Sequence, residues 1–98
     1  MAMVQVQMYI PEFPQGALST LRAKLIDNLE WITESPNNVG AWRSEEKRLY
    51  KEPVVVLTAL VDEDESIDFI IQALAQYKED ANQKCVLYTV QDIDVILL

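Results

Sequence analysis

An apolar run at residues 54–61 constrains the fold of this chain more than any other segment. Its length and its β-branched residues are typical of a strand, and Pro53 stands directly before it. Alternate side chains of a strand point to opposite faces, and both rows here are almost entirely apolar. A chain of 98 residues covers one sheet face with its own helices, so we expect another subunit to cover the second. The rows are Val54, Val56, Thr58 and Leu60, and Val55, Leu57, Ala59 and Val61.

The composition describes one domain, residues 1–98, and opposes several classes of function. The formal net charge is -8, from 16 acidic and 8 basic residues. Such a charge opposes binding to nucleic-acid phosphates and to anionic membrane surfaces. No run approaches the roughly 20 apolar residues that a membrane-spanning helix needs. We therefore expect neither nucleic acid nor membrane as a partner.

The absence of histidine removes the usual proton shuttle near neutral pH and the commonest metal ligand. Ser-His-Asp and Cys-His machinery is thereby excluded within one chain. The single cysteine, Cys85, cannot form an intrachain disulfide, and its alternation with Leu87 predicts a small core residue. We predict no catalytic residue, no metal and no cofactor, and a location in the reducing cytoplasm.

Periodicity predicts six elements in the order strand, helix, strand, strand, helix and strand. Apolar residues alternate from Val4 to Ile10, as in a strand. Ser19 is the predicted N-cap of the first helix, and residues 35–38 are predicted to end it. Its apolar stripe comprises Leu18, Leu21, Leu25, Leu29 and Ile32, with Ile26 widening it.

The second half of the chain begins with a short strand at residues 39–43, a turn at 44–47 and the long apolar strand. Pro53 lacks an N–H and is expected at a bulge or beyond the paired ladder. The acidic residues 62–65 are predicted to open the second helix, which Asn82 ends. The stripe of this helix comprises Ile67, Ile70, Ile71, Leu74 and Tyr77. Residues 84–90 form the next strand, Gln91 and Asp92 interrupt it, and residues 93–98 form a short strand or an extension.

This order of elements predicts an α+β, ferredoxin-like βαββαβ domain. Right-handed crossovers place both helices on one face of an antiparallel sheet, with the first and third strands in its centre. The other face is left bare and is too apolar for most monomers, so we expect a homo-oligomer, a dimer or a trimer. Either row of residues 54–61 could meet the partner, and we favour the row with Thr58. The predicted interface residues are Gln5, Gln7, Tyr9, Val54, Val56, Thr58 and Leu60.

A charged hairpin at residues 42–52 is the candidate ligand site. It carries half of the basic residues of an acidic chain, and two aromatic residues stand among them. Arginine forks and aromatic stacking suit a small anion, although a charged hairpin whose Trp42 packs on the core explains the same pattern. The candidate ligand-binding residues are Trp42, Arg43, Lys47, Arg48, Tyr50 and Glu52.

Two acidic groups offer oxygen ligands for a cation. Residues 62–65 lack the glycine of a calcium loop, and an acidic helix start accounts for them better. Asp92 and Asp94 flank Ile93 and are expected to share one strand face as solvated carboxylates. Neither group predicts a metal site.

Several short segments resemble a small bacterial family of unknown function. They are Gly40-Ala41-Trp42-Arg43, Lys51-Glu52-Pro53 with the apolar strand, Tyr77-Lys78, and Gln83-Lys84-Cys85-Val86-Leu87. The resemblance spans residues 8–90, implies a ferredoxin-like domain and carries no established activity. The order of elements is also similar to trimeric regulators of the nitrogen-sensor and copper-tolerance type, whose long nucleotide-binding loop this chain lacks.

Three functional hypotheses follow from the sequence, of which the third is an acidic interaction protein that occupies a basic surface of a partner. The first is a small non-enzymatic protein that acts through self-association and binding of a protein partner or ligand. The second is an enzyme that binds a small molecule or anion at the hairpin, at a subunit boundary, with Glu52 as acid or base beside Arg43 or Lys51. A deep pocket around a buried Glu52 would favour the second, and a flat solvated hairpin the first.

Overall fold

The order of strands and helices is that expected from the apolar periodicity. The computed structural model describes residues 2–62 and 64–98. Its elements are β1 (Ala2–Pro11), α1 (Gln15–Asn28), β2 (Ile32–Arg43), β3 (Leu49–Val61), α2 (Asp64–Asp80) and β4 (Leu87–Asp94). The strands form one antiparallel sheet in the order β2-β3-β1-β4. The predicted ferredoxin-like architecture is confirmed, with the first and third strands at the centre.

One core lies between the sheet and the two helices. Alternate residues of β1 and β3 point into it, and these include the row of β3 without Thr58. Tyr77 of α2 is the largest of its fully buried side chains. The buried core residues are Val6, Met8, Ile10, Leu18, Leu21, Leu25, Val55, Leu57, Ala59, Val61, Ile70, Ala73, Leu74, Tyr77 and Ala81.

The first helix begins earlier and ends earlier than predicted. Pro14 occupies the N-cap and its carbonyl accepts from Leu18 N–H at 3.3 Å, so the predicted cap Ser19 lies inside the helix. At the other end Leu29 is already extended, and Ile32 belongs to β2. Pairing of Ile32 with Ala59 in the sheet outweighs the helical spacing of this segment.

Residues 35–38 form a bulge within β2 and do not end a helix. The pairing with β3 shifts between Ser35 and Asn38. Asn37 takes a left-handed conformation, and the Asn38 side chain donates to the Ser35 carbonyl at 2.8 Å. The extra residues let β2 continue for 12 residues where a short strand was predicted.

Pro53 lies inside β3, opposite Val39 of β2. Its carbonyl accepts from Glu12 N–H at 2.9 Å, so its nitrogen also faces the β1 side, beyond the last β1 pair at Pro11. The missing N–H therefore removes no bond from the β2–β3 ladder, in which Pro53 is paired. Pro53 therefore lies beyond the β1–β3 ladder, as predicted, but within the β2–β3 ladder, where the prediction is wrong.

The second helix follows its prediction closely. Asp64 and Glu65 lie in its first turn, while Glu63 lies outside the described residues. Ile70, Leu74 and Tyr77 are buried, whereas Ile71 is exposed. Asn82 has a left-handed backbone just past the last turn, as a helix stop requires.

The last strand starts and ends later than predicted. Residues 84–86 precede it, and Gln91 and Asp92, predicted to interrupt it, pair with Gln5 and Val4 of β1. Ile93 and Asp94 extend β4, while residues 95–98 lie in no strand. Within the described ranges, no helix is both long and apolar enough to cross a membrane.

Candidate functional site

The sheet face opposite the helices is uncovered, and we call it the open face. The row of β3 with Thr58 lies on it, as favoured from the sequence, and none of this row belongs to the core cluster under the helices. Val56, Thr58 and Leu60 are half-buried, whereas Val54 is only 8% exposed. Thr58 pairs with Gln7 of β1 and Thr33 of β2. All seven predicted interface residues, Gln5, Gln7, Tyr9, Val54, Val56, Thr58 and Leu60, share this face.

Polar and apolar side chains alternate in rows across the open face. One row runs Thr33, Thr58, Gln7 and Thr89 from β2 to β4. The next row runs Ser35, Val56, Tyr9 and Leu87. Tyr9 bridges the two rows, because its hydroxyl donates to Gln7 Oε1 at 3.3 Å. The face therefore suits a partner that offers both apolar contacts and hydrogen bonds.

Leu87 is a large apolar residue of the open face that sequence reasoning did not include. Its side chain is 63% exposed and lies opposite Tyr9. The placement of Leu87 on the open face depends on the pairing register of β1 and β4. Alternation within β4 alone does not give this register.

The hairpin of β2 and β3 extends well beyond the rest of the sheet. Pairing between β1 and β3 ends at Pro11 and Val54, whereas β2 and β3 remain paired as far as Arg43 and Leu49. We call residues 39–52 the arm. Five residues beyond Val54 add about 17 Å at the usual rise of a strand, and the longest dimension of the molecule is 46 Å.

An aromatic stack lies on the arm. The rings of Trp42 and Tyr50 are 4.5 Å apart and nearly parallel, and the Arg48 guanidinium lies 5.8 Å from the Tyr50 ring centre. Trp42 remains 50% exposed, so the expectation that it packs on the core is wrong. Because both rings are exposed, the stack can bind a flat ligand or the side chains of another protein.

The tip of the arm is fixed by backbone contacts. Lys47 N–H donates to the Ser44 carbonyl at 2.8 Å, and Lys47 has a left-handed conformation. The Arg43 side chain donates to the Lys47 carbonyl at 3.2 Å. Arg43 therefore closes the turn with part of its guanidinium, which leaves fewer donors for an anion.

The six candidate ligand residues form an open strip and not a cleft. Trp42, Arg43, Lys47, Arg48 and Tyr50 are all exposed, and only Glu52, at the base of the arm, is half-buried. Solvated cations on an open strip bind anions weakly, because water screens them.

Glu52 is electrostatically coupled to the core through Tyr77. The Tyr77 hydroxyl donates to the Pro11 carbonyl at 3.4 Å, next to the start of the arm. Burial, and to a lesser degree the Glu52 charge, raises the pKa of Tyr77 from 10.0 to about 12. Tyr77 is therefore a neutral hydrogen-bond donor at physiological pH and cannot act as a base there.

Cys85 is exposed, which contradicts the predicted core position. The residue precedes β4, whose first residue is Leu87, so strand alternation does not apply to it. A connecting segment does not bury every second side chain.

A shallow groove of about 390 Å³ lies at the end of the sheet opposite the arm. Asp62, Asp92 and Asp94 line it with three apolar side chains, Met3, Val4 and Ile93. In the described part of the chain, no three acidic, cysteine or histidine side chains are placed to hold a metal ion.

Several solved structures have a similar ferredoxin-like fold, among them PII-like and CutA proteins and part of a Bacillus cereus protein related to NIF3. The protein CPII from Thiomonas intermedia K12, bound to ADP and bicarbonate, is 13% identical over 97% of this chain and 89% of its own, with a TM-score of 0.68. CutA1 from Oryza sativa is 12% identical over 98% and 83%, with a TM-score of 0.72. The divalent cation tolerance protein from Thermus thermophilus is 11% identical over 99% and 88%, with a TM-score of 0.70.

At these identities the likeness is one of fold alone. No protein-family model and no curated protein sequence matches the chain.

Proposed function

We propose that this protein is a non-enzymatic binding protein that works as a homo-oligomer, a dimer or a trimer. The open face carries this proposal, since its central strand presents Val56 and Leu60 to solvent beside the exposed Leu87. Apolar patches of this kind mark interaction sites in proteins that stay in solution. The similar fold of PII-like and CutA-type proteins agrees with a binding role. The resemblance to a bacterial family of unknown function stays a prediction.

A matched pair of glutamine substitutions tests self-association. Gln7→Arg places a bulky charge in the middle of the open face, and Gln72→Arg makes the same change on the exposed side of α2. We expect light scattering after size exclusion to give an oligomer for the wild type and for Gln72→Arg. Gln7→Arg should lower the mass towards that of one chain. A wild-type monomer at micromolar concentration would refute the proposal.

A second candidate function is the binding of a small anion on the arm, by Trp42, Arg43, Lys47, Arg48, Tyr50 and Glu52. The stack of Trp42 on Tyr50 beside Arg48 favours it, because a nucleotide offers both a flat base and phosphates. The related CPII structures contain ADP and bicarbonate, or ADP, AMP and bicarbonate. Enzymatic use of this site, with Glu52 as acid or base, is the weaker version, because the strip is open to water.

Isothermal titration with ADP tests the arm as an anion site. Trp42→Ala should weaken ADP binding about tenfold or more, through loss of stacking. Trp31→Ala removes an equally exposed tryptophan outside the arm and is the control. Equal affinity of both variants, or no heat with the wild type, would remove ADP as a ligand of the arm.

We further propose a cytoplasmic location. The exposed thiol of Cys85 supports it, since a reducing compartment preserves a free cysteine. Fractionation of the native cells, followed by immunodetection, tests this directly.

A further inference from the structure

Charge is distributed unevenly between the arm and the rest of the molecule. The arm, residues 39–52, holds four of the eight basic residues and three of the 16 acidic ones. The rest of the chain therefore carries four basic and 13 acidic residues. A positive arm on a strongly negative body is complementary to the body of a second copy.

The two ends of the sheet are matched in chemistry as well as in charge. The arm presents Trp42, Tyr50 and Leu49 among its cations. The acidic groove at the opposite end presents Met3, Val4 and Ile93 among its carboxylates. Within the described residues only Arg22 and Glu34 form an ion pair, so Asp62, Asp92 and Asp94 are paired with no lysine or arginine among them.

The size of the open face gives an independent reason for a second contact. Four strands spaced about 4.8 Å apart and about eight residues long have a footprint of roughly 500 Å². A stable interface buries about 800 Å² on each partner. The open face alone falls short of this area, and the arm continues it with further exposed apolar side chains, Trp42, Leu49 and Tyr50.

From these observations we propose that the arm of one copy docks into the acidic groove of another copy. Arg48 and Lys51 meet Asp92 and Asp94, while Trp42 and Tyr50, which stack on one side of the arm, cover Met3 and Ile93. The inference rests on the proposed self-association and names the surfaces that extend it. Because arm and groove lie at opposite ends of one chain, each subunit offers one of each, and the contacts repeat around the assembly.

Charge reversal on either surface tests the contact. Asp92→Lys/Asp94→Lys and Arg48→Glu/Lys51→Glu should each weaken self-association at least tenfold at low salt, measured by sedimentation of a concentration series in the analytical ultracentrifuge. Mixing the two variants should raise association above that of either variant alone, because the reversed groove accepts the reversed arm. Circular dichroism establishes that each variant is folded.

The control is Glu79→Lys/Asp80→Lys, an exposed acidic pair at the end of α2. It changes the net charge of -8 by the same amount as the groove variant and lowers general repulsion between copies equally. Association should therefore hold or strengthen in the control and fall only in the groove variant.

Three results would overturn the docking. In the first, the groove variant associates as strongly as the wild type. In the second, the control variant associates as weakly as the groove variant. In the third, the mixture of groove and arm variants associates no better than either variant alone. If Gln7→Arg still dissociates the protein in those cases, self-association stands and only the arm contact is wrong. A monomeric wild type removes both proposals.

Discussion

At the scale of single residues, Tyr77 makes the folding stability of the protein depend on pH in the alkaline range. Its side chain is only 2% exposed, and its hydroxyl donates to the Pro11 carbonyl. Burial raises the pKa of Tyr77 from 10.0 to about 12 in the folded protein, with the Glu52 charge as a smaller cause. The stabilising contribution is therefore complete below pH 10 and is lost as the pH rises towards 12.

We expect Tyr77→Phe to abolish this part of the alkaline loss of stability. At neutral pH the variant should lose about 1 kcal/mol or less, because one long hydrogen bond is removed. Urea unfolding between pH 8 and pH 12 measures both effects. Tyr88→Phe removes a more exposed tyrosine hydroxyl and is the control for the substitution itself. A Tyr77→Phe profile that falls as steeply as the wild type would contradict the assignment.

Gly40 is required by close packing between β2 and β3. A Cβ atom at this position would lie 2.8 Å from Val54 Cγ2 and 3.9 Å from the Glu52 carbonyl oxygen. Valine is stiff about its first side-chain torsion, so it cannot turn away freely. We expect Gly40→Ala to destabilise the protein by roughly 1–3 kcal/mol in urea unfolding.

Two further variants isolate the clash at Gly40. Gly16→Ala has open space around the new methyl group and lies in α1, so it should stabilise by about 0.5–1 kcal/mol. Val54→Ala should make Gly40→Ala far less costly, since the clashing methyl group is gone. Additive effects of the two substitutions would show that the contact with Val54 is not the cause.

Single residues were predictable where local pattern and burial agree, as at Tyr77 and Asn82. Cys85 and Ser19 were wrong for a common reason. In each case the predicted start of the element was wrong. The strand begins at Leu87, after Cys85, and the helix begins at Gln15, before Ser19. A boundary error of a few residues reverses the expected burial of a side chain without changing the order of the elements.

At the scale of elements, α1 is held to the sheet by a narrow apolar stripe. Leu25 is fully buried, whereas its neighbour Ile26, which was expected to widen the stripe, is 55% exposed. We expect Leu25→Ala to cost about 2–5 kcal/mol, since it removes core contacts and leaves a cavity. Ile26→Ala should cost under about 1 kcal/mol, as exposed substitutions usually do. Thermal and urea unfolding of both variants decide this, and similar losses would place Ile26 in the core.

Element boundaries depended on contacts that are distant in sequence. Leu29 and Ile32 continue a helical spacing, yet the chain leaves the helix because Ile32 pairs with Ala59, 27 positions away. In the same way, the bulge at residues 35–38 resembles a helix end in composition. The strand at residues 54–61 could be predicted without knowledge of such distant contacts, because its β-branched pattern and its pairing agree.

At the scale of the whole molecule, the open face could be anticipated and the arm could not. Alternation within β1 and β3 was enough to place Gln7 and Thr58 on one face. The length of the arm depends instead on where β1 stops pairing, at Pro11, and on the bulge that keeps β2 paired as far as Arg43. Neither is visible in the local pattern of the hairpin itself.

Because the core lies outside the arm, we expect the domain to fold without it. Ala41 and Lys51 face each other, so residues 42–50 can be replaced by Asn-Gly, a turn that suits a two-residue hairpin loop. No side chain of residues 42–50 belongs to the core cluster. At a concentration where both proteins are monomeric, the shortened chain should unfold cooperatively, with a urea midpoint close to that of the wild type.

The same shortened chain should associate more weakly, because it has lost the stack of Trp42 on Tyr50 and the cations around it. Sedimentation over a range of concentrations measures this loss. A shortened chain that folds and still associates like the wild type would assign the whole interface to the open face. One that fails to fold would instead mean that the arm stabilises the sheet, since its two strands would then supply contacts that the core cannot replace.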